Sequence, residues 1–164
     1  MPIQSIAPFL EWLSVQPAAR MLAESQAAQG VALTLHLFGA MLLVGALVPL
    51  NLRLLGLWKA AALSDVRRVL SPIAFAGLIL ALFSGLALLS LRPFAIAAVP
   101  AFQVKMLLIA LAGANAVSLR LVPAWRLLDQ VDSRGTISRF RTAGLISMIC
   151  WFAVLTLARW PQLL

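Results

Sequence analysis

The chain alternates long apolar stretches with short segments that hold most of its charges. Each of four stretches is close in length to the ~20 apolar residues that a helix needs to cross ~30 Å of hydrocarbon. Prolines, arginines and polar residues flank the stretches, as is typical of the ends of membrane helices. The pattern predicts an all-α fold, an integral membrane four-helix bundle, with spans over approximately 27–50, 69–91, 101–122 and 142–158.

A weaker, amphipathic pattern precedes the first span. Apolar residues recur there at helical spacing, and Pro17 falls where a second short helix would begin: Ile3, Ile6, Phe9, Leu10, Leu13. We therefore predict an N-terminal helix over 3–25 that lies in the membrane interface. No basic residue precedes Arg20, so we do not expect this segment to be a cleaved signal peptide.

Composition agrees with a membrane protein. Of the 164 residues, 63% are hydrophobic and only 11% are charged, and the mean hydropathy is +1.01. These values lie well outside the range of ordinary soluble domains. The length leaves room for four spans and short loops, so we expect a single transmembrane domain over 1–164.

The net charge of +8 reports topology, and it does not indicate nucleic acid binding, because the basic residues lie between apolar stretches. Nine of the 13 lie in the loops that follow the first and third spans: Arg53, Lys59, Arg67, Arg68, Arg120, Arg126, Arg134, Arg139, Arg141. The positive-inside rule then places both loops in the cytoplasm and both termini outside it. We expect a multi-pass protein of the bacterial inner membrane.

His36 is the only histidine and lies ~15 Å into the first span, near the middle of the bilayer. A polar ring at that depth needs a partner. One interpretation is a neutral imidazole that pairs helices, and the other is a metal or haem ligand or a proton-handling site. Gln29, Gly39 and Ala40 share its helical face, and the two small residues would admit a neighbouring helix or a flat macrocycle.

Three further polar residues are candidates for the same site. Lys105 lies ~5–8 Å inside the third span, where it either extends outward to the headgroups or pairs with an anion. Asn115 is predicted to form an interhelical hydrogen bond. Ser84, with Gly85, makes a small polar notch that either packs closely or admits a ligand.

Several activities are disfavoured. The five carboxylates lie outside the spans, which argues against proton-coupled transport through an intramembrane acid: Glu11, Glu24, Asp65, Asp129, Asp132. No nucleotide-binding loop, nucleophile elbow or metalloprotease motif is present. The methionines of the spans, which could bind Cu(I), are scattered as packing residues would be.

The interfacial stretch FLEWLSVQPAARMLAES, followed by a Leu-His-Leu span, resembles an uncharacterised family of bacterial four-helix membrane proteins. The chain is more distantly similar to the membrane domain of CopD-type copper-resistance proteins and to HemJ-type protoporphyrinogen oxidases. The second resemblance implies haem b, with His36 and Lys105 as the matching functional residues. HemJ-type proteins carry a basic residue soon after the histidine, whereas the next charge here is Arg53.

The working hypothesis is a redox or electron-transfer accessory protein that binds haem b or a porphyrin. His36 would be the axial ligand and Lys105 would lie near a propionate. A single histidine leaves the sixth position open or supplied by another side chain or by a second protomer, so a homodimer is one arrangement. The alternatives are a non-catalytic assembly or structural subunit and, less favoured, a copper transport or resistance component.

Overall fold

The computed structural model describes residues 3–127 and 138–159. Within these ranges the secondary structure is helical, which confirms the predicted all-α class. The helices, after a short 3-10 turn at Ile3–Ser5, are α1 Ala7–Ser14, α2 Pro17–Glu24, α3 Gln26–Leu54, α4 Leu63–Ser90, α5 Pro93–Ala97, α6 Pro100–Arg120, α7 Pro123–Arg126 and α8 Ser138–Arg159. Arg134, Asp129 and Asp132 lie outside the described residues.

Four of these helices, α3, α4, α6 and α8, are long and apolar enough to cross a membrane. Most of their apolar surface faces outward, as expected where the surrounding solvent is lipid. The protein is therefore a multi-pass membrane protein by length and composition.

The helices extend beyond the apolar stretches that predicted them. α3 continues past Pro49 to Leu54, and α4 begins at Leu63 with Pro72 inside it. Hydropathy marks only the part of a helix that crosses hydrocarbon, so charged turns such as the one at Asp65 fell outside the predicted span. Membrane helices also tolerate an internal proline.

The segment predicted to be helical over 3–25 consists of two helices, α1 and α2. Pro17 starts α2, where the missing amide of proline costs no helical hydrogen bond. Leu10 and Leu13 of α1 pack with Leu89 and Ala97 at the end of α4 and in α5. The segment thus covers one end of the bundle through apolar contacts.

The opposite end carries basic residues of the helix ends, among them Arg53, Arg67 and Arg120, and we call it the basic end. A buried cluster joins the C-terminal turns of α3 and α6 to the start of α4 and α8: Leu50, Leu54, Leu63, Leu119, Trp125, Phe140, Ala143. The rings of Trp125 and Phe140 meet edge to face, with centroids 5.6 Å apart. After α3, Gly56 adopts a φ of 96°, a left-handed conformation that glycine allows at a helix end.

The closest helix pair is α3 and α4. A Cβ placed on Gly77 would lie 2.5 Å from the amide nitrogen of Leu43, and one placed on Gly39 would lie 2.6 Å from that of Ala81. Both neighbours are backbone atoms, which cannot move aside. The two glycines therefore permit the backbones to approach, as small residues do in membrane helix pairs.

We expect Gly77→Ala to destabilise the protein by about 1–3 kcal/mol, the typical cost of overpacking, because the new methyl group meets the backbone of α3. The measurement is unfolding followed by circular dichroism in one detergent. Gly45→Ala is the matched control, since nothing lies within 4 Å of its added Cβ. Equal stability of the two variants would contradict the close contact.

Candidate functional site

His36 lies in the contact between α3 and α4. Its Nδ1 is 2.8 Å from the carbonyl oxygen of Ala81, one turn before Ser84. A carbonyl only accepts, so Nδ1 carries the proton and donates. An imidazole with a single proton, on Nδ1, has its lone pair on Nε2, and no described residue forms a hydrogen bond with Nε2.

Ser84 and Gly85 surround this imidazole on α4. The Ser84 hydroxyl oxygen lies 3.4 Å from His36 Nδ1 and donates to the carbonyl of Leu80 in its own helix. A Cβ on Gly85 would lie 2.9 Å from the Cε1 atom of His36. The structure thus brings His36 and Ser84 together, and the glycine leaves room for the ring.

Gln29, another candidate residue, forms hydrogen bonds with the preceding helix. Its side-chain amide donates to the carbonyl of Leu22 at 3.1 Å and reaches that of Ala23 at 3.4 Å. These carbonyls belong to the last turn of α2, where no later amide of the same helix can donate a hydrogen bond to them. Gln29 therefore joins α2 to α3, and its hydrogen bonds do not include His36.

Lys105 is half-buried on α6, with its Nζ 5.2 Å from the centroid of the Phe102 ring. Phe102 packs against the apolar cluster that α1, α4 and α5 form. The ammonium group therefore lies over an aromatic face near the end of the span, an arrangement that stabilises a cation. Because α6 packs mainly on α8, the described contacts do not join Lys105 to His36.

Asn115 forms the interhelical hydrogen bond that its position predicted. Its Nδ2 donates to the carbonyl of Ala143 at 2.9 Å and so joins α6 to α8. Asn115 also lines a cavity between the long helices, which neither His36 nor Lys105 lines.

A second polar helix pair was missed by sequence reasoning. Asn51, only 3% exposed, donates through Nδ2 to the hydroxyl of Ser147 at 2.9 Å and joins α3 to α8. Gly144 of α8 lies beside the Asn51 carbonyl, where a Cβ would be 3.1 Å away. Asn51 follows Pro49, so it was placed beyond the end of the first span, and the polarity of one amide gave no other signal.

The donor set limits the kinds of metal site that the chain offers. Within residues 3–127 and 138–159, no group of three or more histidine, cysteine or acidic side chains is placed to hold a metal ion. A copper site built from protein ligands needs several donors, whereas haem needs one axial ligand from the chain. His36 fits the second requirement better than the first.

Comparison with known proteins gives no relative: no family model, no curated protein and no solved structure matches the chain. The resemblances drawn from the sequence therefore stay predictions.

We expect the Asn51–Ser147 hydrogen bond to be measurable by a double-mutant cycle of Asn51→Ala and Ser147→Ala in detergent. Such bonds between membrane helices contribute roughly 0.6 kcal/mol on average and about 1.7 kcal/mol at most. The cycle removes the cost of each single truncation, so it isolates the pair. A coupling energy of zero would contradict the contact.

Proposed function

We propose that the protein binds haem b or a related porphyrin, with Nε2 of His36 as the axial ligand. The observation that carries this proposal is the Nδ1–H bond to the Ala81 carbonyl, which leaves the lone pair on Nε2. Ligating histidines commonly donate their other ring nitrogen to a backbone carbonyl, which fixes the tautomer and the ring orientation. The bound haem would supply one-electron transfer, consistent with a redox accessory role.

The position of Nε2 within the membrane adds support. An acceptor that has no hydrogen-bond donor in a low-dielectric environment costs free energy, of the order of 1–3 kcal/mol. Intramembrane ionisable residues are accordingly rare outside functional sites. A bound iron would satisfy Nε2, and the sixth position would be open or filled by a second protomer in a homodimer.

We assign Lys105 to the outer edge of this site, where its ammonium group would bind a haem propionate. Its half-buried ammonium lies beside Phe102 and forms no hydrogen bond or ion pair with a described residue. A cation in that position favours an anionic group. This assignment needs haem to reach from α3 toward α6, so it depends on the ligand being bound.

The proposed location is the bacterial inner membrane, with both termini outside the cytoplasm. The support is the concentration of basic residues in the two loops of the basic end. The cluster of Leu50, Leu119 and Phe140 brings together the helix ends next to which these basic residues lie. A single orientation in the membrane therefore suits both loops.

A second candidate function is that of a non-catalytic assembly subunit. The hydrogen bonds of His36, Asn51 and Asn115 each join two helices, which favours a role in holding the bundle together. In this alternative, Nε2 of His36 faces lipid or another protein chain and binds no cofactor.

We expect protein purified in detergent, after expression with added haem precursor, to show a Soret band. His36→Ala should lose it, because the axial ligand is removed. Asn115→Ala is the matched control: it also loses an interhelical hydrogen bond but no ligand, so it should keep the band. The measurement is absorbance per mole of protein in the monodisperse fraction from gel filtration.

His36→Cys provides a test that does not depend on complete loss. A thiolate ligand would shift the Soret band of a bound haem, whereas a purely structural histidine would leave every spectrum unchanged. If the wild-type protein has no Soret band after expression and after haem titration, the haem proposal is wrong and the assembly role is favoured.

A further inference from the structure

A cavity of about 320 Å³ lies between the long helices, a volume typical of small-molecule sites, which span roughly 300–1,000 Å³. Its wall is mostly apolar and includes Leu78 of α4, Ile109 and Ala112 of α6, and Trp151 of α8. The space begins near the middle of the spans and ends at the basic end, beside Arg120.

The order of the helices explains why this space exists. α3 packs against α4 and α8, and α6 packs mainly against α8, so the four helices form the row α4, α3, α8, α6. The two outer helices of the row, α4 and α6, face each other across the cavity with little direct contact. The cavity wall on the α6 side includes small residues, among them Ala112 and Gly113, whose side chains fill little of the space.

The cavity is positively charged where it reaches the basic end. Arg120 lines it together with Trp125, and the guanidinium carbon of Arg67 lies 5.4 Å from the centroid of the Trp125 ring. Nε of Arg67 is buried and has no hydrogen-bond partner in the described structure. No described carboxylate forms an ion pair with Arg67 or Arg120, so both guanidinium groups can bind an anion.

We propose that this cavity binds an anionic phospholipid from the surrounding bilayer. One acyl chain would occupy the apolar space between α4 and α6, and the phosphate would bind Arg120 and Arg67 at the basic end. The apolar volume ends at Arg120 and at Trp125, whose ring Arg67 contacts, and this combination matches the two parts of such a molecule. The site is independent of haem, because His36 does not line it.

The test is native mass spectrometry of the delipidated full-length protein in a neutral detergent. Phosphatidylglycerol and phosphatidylcholine with identical acyl chains are added in equal amounts. We expect phosphatidylglycerol to bind at least about tenfold better, because it has a net negative charge, whereas the choline ammonium group of phosphatidylcholine neutralises its phosphate and is repelled by the arginines. Arg67→Gln with Arg120→Gln should abolish this preference, so that the two lipids bind equally and phosphatidylglycerol loses more affinity than phosphatidylcholine.

Gly113→Leu tests the apolar part of the site. A Cβ at Gly113 has nothing within 4 Å, so the larger side chain extends into the cavity without disturbing the helices. It should reduce binding of both lipids. Gly45→Leu is the matched control, because Gly45 also has open space around it but does not line the cavity.

Three results would overturn the proposal. Equal binding of the two lipids would show contact with bulk lipid only. Unchanged binding to Gly113→Leu would place the lipid elsewhere on the protein. A dimer that dissociates when Gly113→Leu is introduced, with no lipid bound by the wild type, would assign the cavity to a second copy of the chain.

Discussion

Close approach of α3 and α4 at Gly39 and Gly77 is the contact on which the rest of the bundle depends. In a bilayer, burying apolar side chains between helices brings little gain over leaving them in lipid, so packing and hydrogen bonds must hold helices together. The two glycines remove the side chains that would separate the backbones. α3 and α4 accordingly form the most extensive contact of the fold.

This contact also determines the environment of His36. The imidazole lies one turn from Gly39, where the helices are close enough for Nδ1 to reach the Ala81 carbonyl, and Gly85 leaves space for the ring. One hydrogen bond thus joins the helices and selects the tautomer. The pairing role and the ligand role of His36 are therefore compatible, because they use different nitrogens.

The remaining helices are held by fewer and more local interactions. α8 contacts α3 through Asn51 and Ser147, and it contacts α6 through Asn115. Because α6 joins the bundle mainly through α8, a space remains between α6 and α4. The tight contact of α3 with α4, together with the small contact between α4 and α6, leaves an apolar cavity that ends at Arg120.

Hydropathy predicted the membrane helices because hydrocarbon thickness fixes the length of an apolar stretch. The predicted spans over 27–50 and 69–91 left out the last turn of α3, up to Leu54, and the first turns of α4, from Leu63, because these turns need not cross hydrocarbon. Depth in the membrane identified His36 and Asn115 as residues that need partners. The partners depend on helix order, which the sequence pattern leaves open, and for that reason the bond between Asn51 and Ser147 was missed.

The protonation of His36 tests the central claim most directly. Since the chain has one histidine, selective ¹⁵N labelling of histidine gives a single pair of ring signals in the ligand-free protein. We expect a ring with a single proton, which lies on Nδ1 and is donated in a hydrogen bond, and an unprotonated Nε2. A neutral ring with its proton on Nε2 would contradict both the bond to Ala81 and the availability of Nε2 as a ligand.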